Sequence, residues 1–139
     1  RGDVAAAFDG IGVAPERADD LGATLTTRYR RTTLLAPDRA ARATVDTGLT
    51  WIEPDGTGFT LPEVAIVETK AAASASALDR LLWRQGYRPA TVSKYATGLA
   101  ALHHDLPRNR WARLLRGPFA PEHRSPTRRP EEASCSAAA

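Results

Sequence analysis

Methionine is absent from all 139 residues, and cysteine occurs once, as Cys135. A lone cysteine excludes an intrachain disulfide, so we expect a reducing compartment, the cytoplasm. No run of about 18 apolar residues occurs, so the sequence predicts no membrane-spanning helix, and the first residues lack the pattern of a signal peptide. Because methionine is missing even at position 1, we expect the chain to be a fragment of a longer protein.

Lysine is nearly absent as well, since all of the 19 basic residues except Lys70 and Lys94 are arginine. No G-x-x-x-x-G-K-[ST] loop occurs, and Pro15 stands where a G-x-G-x-x-G fingerprint starting at Gly10 needs its third glycine, so neither common nucleotide-binding loop is present. The neighbours His103 and His104 would point about 100° apart on a helix and make a poor metal pair.

The order of local patterns predicts an α+β fold with antiparallel pairing, in which two short helices precede three strands and three further helices. Segments rich in β-branched and aromatic residues and bounded by turn residues predict the strands at 24–35, 42–52 and 63–70. Ser76 and Asp79 resemble a capping box that begins a helix ending near Gly86. Further helices are predicted at 93–103 and from Asn109, as a cap, to Gly117.

Three regions follow from these patterns: a helical segment at 1–23, a domain at 24–117, and a tail at 118–139 rich in proline, arginine and alanine. We expect the tail to be disordered and to bury nothing. Residues 104–129 carry seven arginines against two acidic residues, which leaves nucleic-acid binding open as a function.

Alternation along the predicted strands places ionisable side chains together in mid-strand. The groups that share a face are Tyr29 with Arg31, then Arg42 with Thr44 and Asp46, and then Glu68 with Lys70. One interpretation is an ordinary solvated sheet face with salt bridges across it. The other is a polar cavity in which the cations hold phosphate oxygens and Glu68 holds a divalent metal between phosphates.

Four short motifs carry a resemblance to a known family. They are Tyr29-Arg30-Arg31, the segment 42–47 (RATVDT), Val67-Glu68-Thr69-Lys70 and Ser93-Lys94-Tyr95. In this order and spacing they resemble a VTC domain, the polyphosphate polymerase domain of vacuolar transporter chaperone proteins and their bacterial relatives. The resemblance implies a triphosphate-tunnel fold, a closed antiparallel barrel with flanking and C-terminal helices.

The resemblance also implies roles for individual residues. Contacts to phosphate are implied for Tyr29, Arg31, Arg42, Lys70, Ser93 and Lys94. Among these, Arg31, Arg42, Lys70 and Lys94 are implied to act in catalysis by neutralising charge. Glu68 is implied to ligate Mn or Mg. Asp46 belongs to the motif, but a salt bridge or a backbone contact remains open for it.

The implied activity is transfer of the γ-phosphate of ATP to a growing polyphosphate chain. A non-catalytic module that binds ATP, polyphosphate or another oligophosphate is an alternative, and a basic nucleic-acid-associated protein is a third possibility that the sequence favours less. None of the family's N-terminal motifs occurs before Thr24, three strands cannot close a barrel, and Thr91 replaces a residue that is often basic. We therefore expect the C-terminal half of such a domain, inactive alone or completed by a second chain that supplies strands.

Overall fold

A computed structural model describes residues 2–37, 41–71 and 74–127. The strands are β1 (Thr26–Leu35), β2 (Ala41–Ile52), β3 (Gly58–Leu61), β4 (Ile66–Ala71) and β5 (Ser125–Pro126). The α-helices are α1 (Gly2–Asp9), α2 (Ala77–Arg84), α3 (Lys94–Leu102) and α4 (Ala112–Leu115). Short 3₁₀ turns lie at Pro15–Ala18, Asn109–Trp111 and Pro121–His123.

The five described strands form one antiparallel sheet around β2, the longest of them. β1 pairs along one edge of β2, while the other edge is shared by β4 and β3, which pair with its first and last parts respectively. β5 pairs with β3. The α+β class and the antiparallel pairing are thus confirmed. Within the described residues the sheet is open, so the closed barrel stays a prediction.

The main hydrophobic cluster packs on the last part of β2 and on its neighbour β3. Trp51 is fully buried, stacks on Phe59 at 4.8 Å between ring centres, and lies 5.2 Å from the ring of Phe119. Small residues of α3, Ala100 and Ala101, pack on this cluster together with residues of α4. The first part of β2 continues beyond this core, and it carries the charged residues.

Several local predictions are confirmed. The capping box is present, because Ser76 accepts from the backbone of Asp79 and the Asp79 side chain accepts from the backbone of Ser76. The residue Gly86 follows α2 with a φ of 87°, a left-handed conformation that glycine adopts without strain. The three predicted strands correspond to β1, β2 and β4, although β4 begins at Ile66 rather than at 63.

Other local predictions are wrong. β3, a four-residue strand that begins at Gly58 shortly after a turn at 54–56, was not predicted from the sequence. Asn109 does not cap a helix with its side chain, because a 3₁₀ turn precedes α4 there. The residues after Gly117 were expected to bury nothing, yet Phe119 is 2% exposed and the chain returns to form β5.

The return of the chain after Gly117 has a physical cause. Arg124 donates to the backbone carbonyls of Phe119 and Ala101 at 2.8 Å, and its guanidinium lies 5.0 Å from the ring centre of Phe59. Residues 128–139, the part of the predicted disordered tail that includes Cys135, lie outside the described residues. No helix in the described part of the chain is both long and apolar enough to cross a membrane.

Candidate functional site

The strand register brings the charged residues of three strands onto one face of the sheet. Arg31 pairs with Asp46, and Arg42 pairs with Lys70. Thr44 stands opposite Glu68. Directly paired residues of antiparallel strands project to the same side of the sheet, so these side chains form one surface. Lys94 of α3 joins this surface through its ion pair with Asp46. We call it the basic face, and its residues are Tyr29, Arg31, Arg42, Thr44, Asp46, Glu68, Lys70 and Lys94.

A β-bulge connects the basic face to the hydrophobic core. Between Arg28 and Arg30, β1 advances by two residues while the paired positions on β2 run from Thr50 to Thr47, so β2 carries one extra residue. Gly48 lies in this extra stretch with a φ of 61°, which suits glycine. The bulge changes the alternation, so buried Asp46 lies on the same side of the sheet as Trp51.

Asp46 holds two cations at the centre of the basic face. Its carboxylate is fully buried and accepts from Arg31 Nε at 2.7 Å and from Arg31 Nη2 at 2.8 Å. Lys94 Nζ lies 2.8 Å from the second carboxylate oxygen. This two-pronged geometry is the strong form of an arginine–carboxylate pair. Of the alternatives that the sequence left open for Asp46, the structure therefore shows the salt bridge.

Tyr29 lies between the same two cations. Arg31 Cζ and Lys94 Nζ are each 5.2 Å from the centre of the Tyr29 ring, within the range of a cation–π interaction. The side chains of Arg31 and Lys94 remain 40% and 19% exposed, whereas Asp46 is fully covered. Both cations therefore keep donors that can reach an anion in solvent while Asp46 fixes their positions.

The electrostatics of this cluster favour the charged forms. The hydrogen bonds from Arg31, assisted by those from Lys94, lower the pKa of Asp46 to about 2, against the opposing effect of burial. The same hydrogen bond raises the pKa of Arg31 above its ordinary value. Asp46 is therefore ionised at neutral pH and bonds to both cations.

The low pKa of Asp46 gives a prediction for acid stability. A carboxylate with a lower pKa in the folded state contributes stability that is present above its ordinary pKa of 3.8 and is lost as the pH falls through about 2. We expect urea unfolding at pH 4 and at pH 2 to show a larger loss of unfolding free energy for the wild type than for Asp46→Asn. Equal losses would contradict this.

Glu68 and Lys70 form an exposed pair at the edge of the basic face. Lys70 Nζ lies 3.0 Å from Glu68 Oε1. The hydrogen bond from Lys70 lowers the pKa of Glu68, and the charges of Lys94 and Arg31 act in the same direction. Arg42 is exposed and makes no ion pair with any residue of the described ranges. Lys70 and Arg42 are therefore the cations most open to a ligand.

The start of α3 is fixed from two sides. Ser93 caps the helix by accepting from the backbone N–H of Ala96 at 3.3 Å, so its hydroxyl has a structural role. The Trp51 indole donates to the carbonyl of Lys94 at 2.8 Å. The buried core thus positions the backbone of Lys94, and Asp46 positions its ammonium group.

The residues present fit a divalent metal only if phosphate completes its coordination. No group of three or more His, Cys, Asp or Glu that could hold a metal lies within the described ranges. Asp46 is committed to Arg31 and Lys94, which leaves Glu68 as the available carboxylate. Magnesium is commonly held by one or two carboxylates with substrate phosphates and water, and a single ionised Glu68 suits that mode.

Sequence reasoning missed two features of the basic face. The central role of Asp46 needs the register, because alternation alone did not show that Arg31 lies opposite it. Thr44 was placed on this face but given no role, although its hydroxyl is buried and has no hydrogen-bond partner among the described residues. Thr44 lies between Arg42 and Asp46 along β2, where a ligand on the basic face would pass.

Comparison with known proteins gave one match. The family model described as VTC domain matches residues 13–103, about two thirds of the chain. The matched range contains every residue of the basic face. Neither the search of curated proteins nor the search of solved structures found a match.

Proposed function

The chain belongs to the VTC domain family, whose function concerns polyphosphate, and from this we propose that the basic face binds the triphosphate of ATP and linear polyphosphate. The proposed contacts come from Tyr29, Arg31, Arg42, Lys70, Ser93 and Lys94. The face has four cationic side chains and two carboxylates, Asp46 and Glu68, so it carries an excess of positive charge.

The pairing of Arg42 with Lys70 carries the proposal. Two cations directly opposite each other on neighbouring strands repel and lower stability unless an anion lies between them. Within the described ranges, Lys70 has a carboxylate close by, at Glu68, and Arg42 forms no ion pair. An oligophosphate, with charges repeated along its length, neutralises Arg42 and Lys70 together and continues towards Arg31 and Lys94.

We propose further that the bound ATP transfers its γ-phosphoryl group to the terminal oxygen of a polyphosphate chain. The bond from the γ-phosphorus to the β,γ-bridging oxygen breaks, a bond to the chain's terminal oxygen forms, and ADP leaves. The attacking oxygen is already anionic, so no protein base or nucleophile is needed. The contribution of the protein is positioning and charge neutralisation, which the cations Arg31, Arg42, Lys70 and Lys94 supply.

Glu68 is the proposed holder of Mn or Mg. Such an ion would supply positive charge that stabilises the negative charge developing on the phosphate oxygens. The hydrogen bond from Lys70 lowers the pKa of Glu68, which favours the ionised form that a metal ligand needs. Closing the sheet into a tunnel over this face would need strands besides the five described, from elsewhere in a longer protein or from a second chain.

A non-catalytic oligophosphate-binding module is the second candidate, and the openness of the face favours it. Tyr29 is 40% exposed and Arg42 and Lys70 lie in solvent, so the described residues do not exclude water from a bound triphosphate. Active sites for phosphoryl transfer gain much of their electrostatic strength by excluding water. Binding is therefore the part of the proposed function that needs least beyond the described fold.

The test is calorimetric titration of the chain with tripolyphosphate. We expect Arg42→Ala and Lys70→Ala each to weaken binding about 10-fold or more, because each removes a charge-assisted contact. Arg30→Ala is the matched control, since it removes the same charge one residue from Arg31 but on the other face of β1. Glu68→Gln should abolish any gain in affinity on adding Mn or Mg.

Two outcomes would contradict the proposal. One is an equal loss of affinity in Arg30→Ala and Arg42→Ala, which would indicate general attraction to a basic protein. The other is that single-stranded DNA binds more tightly than tripolyphosphate and that Arg42→Ala and Lys70→Ala weaken the binding of DNA. Incorporation of labelled γ-phosphate into a polymer then separates the enzyme from the binding module.

A further inference from the structure

A second cluster of cations lies away from the basic face. From Arg80 to His104 the sequence contains no acidic residue, while Arg80, Arg84 and Arg88 follow one another at intervals of four. Arg80 and Arg84 lie one turn apart on α2. Like charges at this spacing destabilise a helix, so this arrangement has a cost unless an anion binds to it.

These three arginines line one shallow depression in the surface. Its lining consists of Arg80, Trp83, Arg84 and Arg88. Arg80 Nη1 donates to the carbonyl of Ala75 at 2.5 Å, which holds this guanidinium beside the start of α2. The three arginines are exposed and Trp83 is half-buried, so a ligand in the depression can reach the arginine side chains from solvent.

The carboxylate next to Arg80 in the sequence is hydrogen-bonded to other groups. Asp79 accepts from Thr69 Oγ1 at 2.5 Å and from the backbone and side chain of Ser76 at 2.7 Å. Arg84 and Arg88 form no ion pair with the residues that the structure describes. The depression therefore carries three positive charges that no carboxylate of the described chain neutralises through an ion pair.

This depression is distinct from the basic face. Thr69 alternates along β4 with Glu68 and Lys70, so it projects to the opposite side of the sheet. Its hydrogen bond to Asp79 shows that α2 begins on that opposite side. A ligand in the depression would not compete directly with a ligand on the basic face.

We propose that Arg80, Arg84 and Arg88 form a second binding site for a linear oligophosphate, outside the basic face. Planar guanidinium groups bind phosphate oxygens with two parallel hydrogen bonds, and several of them suit a ligand with several phosphates. The half-buried ring of Trp83 is less suited to stacking a nucleobase, which disfavours nucleic acid. The choice of oligophosphate rests on the proposed function, but the presence of an anion site here does not.

The experiment titrates the whole chain with tripolyphosphate and compares two double variants. Arg84→Ala with Arg88→Ala should lose one binding site, or weaken it at least 10-fold. Arg113→Ala with Arg116→Ala, which removes two exposed arginines of the C-terminal helical segment, should leave both sites unchanged. Circular dichroism at rising temperature checks that both variants are folded.

The proposals for the two sites can be refuted independently of each other. If Arg42→Ala changes nothing but the Arg84/Arg88 variant loses binding, the function proposed for the basic face is wrong and the second site stands. If the Arg84/Arg88 variant binds as many tripolyphosphate ions with wild-type affinity, the second site is refuted. Equal losses in the Arg113/Arg116 variant, or tighter binding of oligothymidylate than of tripolyphosphate at this site, would also overturn it.

Discussion

Replacing Asp46 with asparagine is expected to lower the free energy of unfolding by about 3 kcal/mol, because it leaves two cations without their shared counter-ion. Arg31 and Lys94 both bond to this fully buried carboxylate. Asparagine has nearly the same volume, so loss of packing contributes little. The expected cost is at the lower end for a broken buried ion pair, because Arg31 is 40% exposed and partly hydrated.

Urea unfolding at pH 7 measures this change, and Glu63→Gln serves as its control. Glu63 is an exposed carboxylate, so removing its charge should change the free energy of unfolding by less than about 0.5 kcal/mol. A loss below about 1 kcal/mol in Asp46→Asn would mean that solvent hydrates the two cations as well as the carboxylate does. The interpretation of Asp46 as the anchor of the basic face would then be wrong.

The faces of the strands could be predicted from the sequence because side chains alternate with a period of two. This was sufficient to group Arg42 with Asp46, and Glu68 with Lys70. It could not give the pairing of Arg42 with Lys70, because register depends on how far neighbouring strands slide past each other. The resemblance to the VTC family implied only that both residues contact phosphate, and the structure supplies the register that sets them opposite each other.

The parts that sequence reasoning missed all depend on long-range contacts. Gly48 lies inside a strand, a position that often marks a bulge, but only the pairing of β1 with β2 shows the extra residue. β3 has four residues, too few for a periodic pattern. Phe119 lies in a segment whose composition is typical of a disordered tail. It is buried because it packs against the ring of Trp51, which lies far away in the sequence.

The core and the basic face are mechanically linked through Trp51. Its ring packs in the core on Phe59, and its indole N–H bonds to the carbonyl of Lys94. We therefore expect a change that moves α3 relative to Trp51 to shift Lys94 relative to Asp46. This coupling means that a substitution distant from the charged groups can alter the affinity of the face for an anion.

Gly98→Ala tests this coupling, and we expect it to lower the free energy of unfolding by about 2 kcal/mol and to weaken tripolyphosphate binding. A Cβ at position 98 would overlap the indole ring of Trp51, whose Cγ would lie 2.8 Å away. Alanine favours a helix over glycine by about 1 kcal/mol, but overpacking a buried contact costs about 1–3 kcal/mol or more. The Trp51 ring is rigid and stacks on Phe59, so α3 must shift to make room. We therefore expect the cost of the overlap to exceed the gain in helix propensity, and the net effect to be destabilising.

Urea unfolding and tripolyphosphate titration measure the two effects, with Gly22→Ala as the control because nothing lies within 4 Å of a Cβ there. Gly98→Ala should cost much less stability in a Trp51→Leu background, since the smaller side chain removes the overlap, and the double-mutant cycle should give a coupling of about 1 kcal/mol or more. If Gly98→Ala stabilises the protein, or destabilises it equally in both backgrounds, α3 is not held against Trp51 as described. If stability falls while affinity is unchanged, Lys94 does not depend on the core for its position.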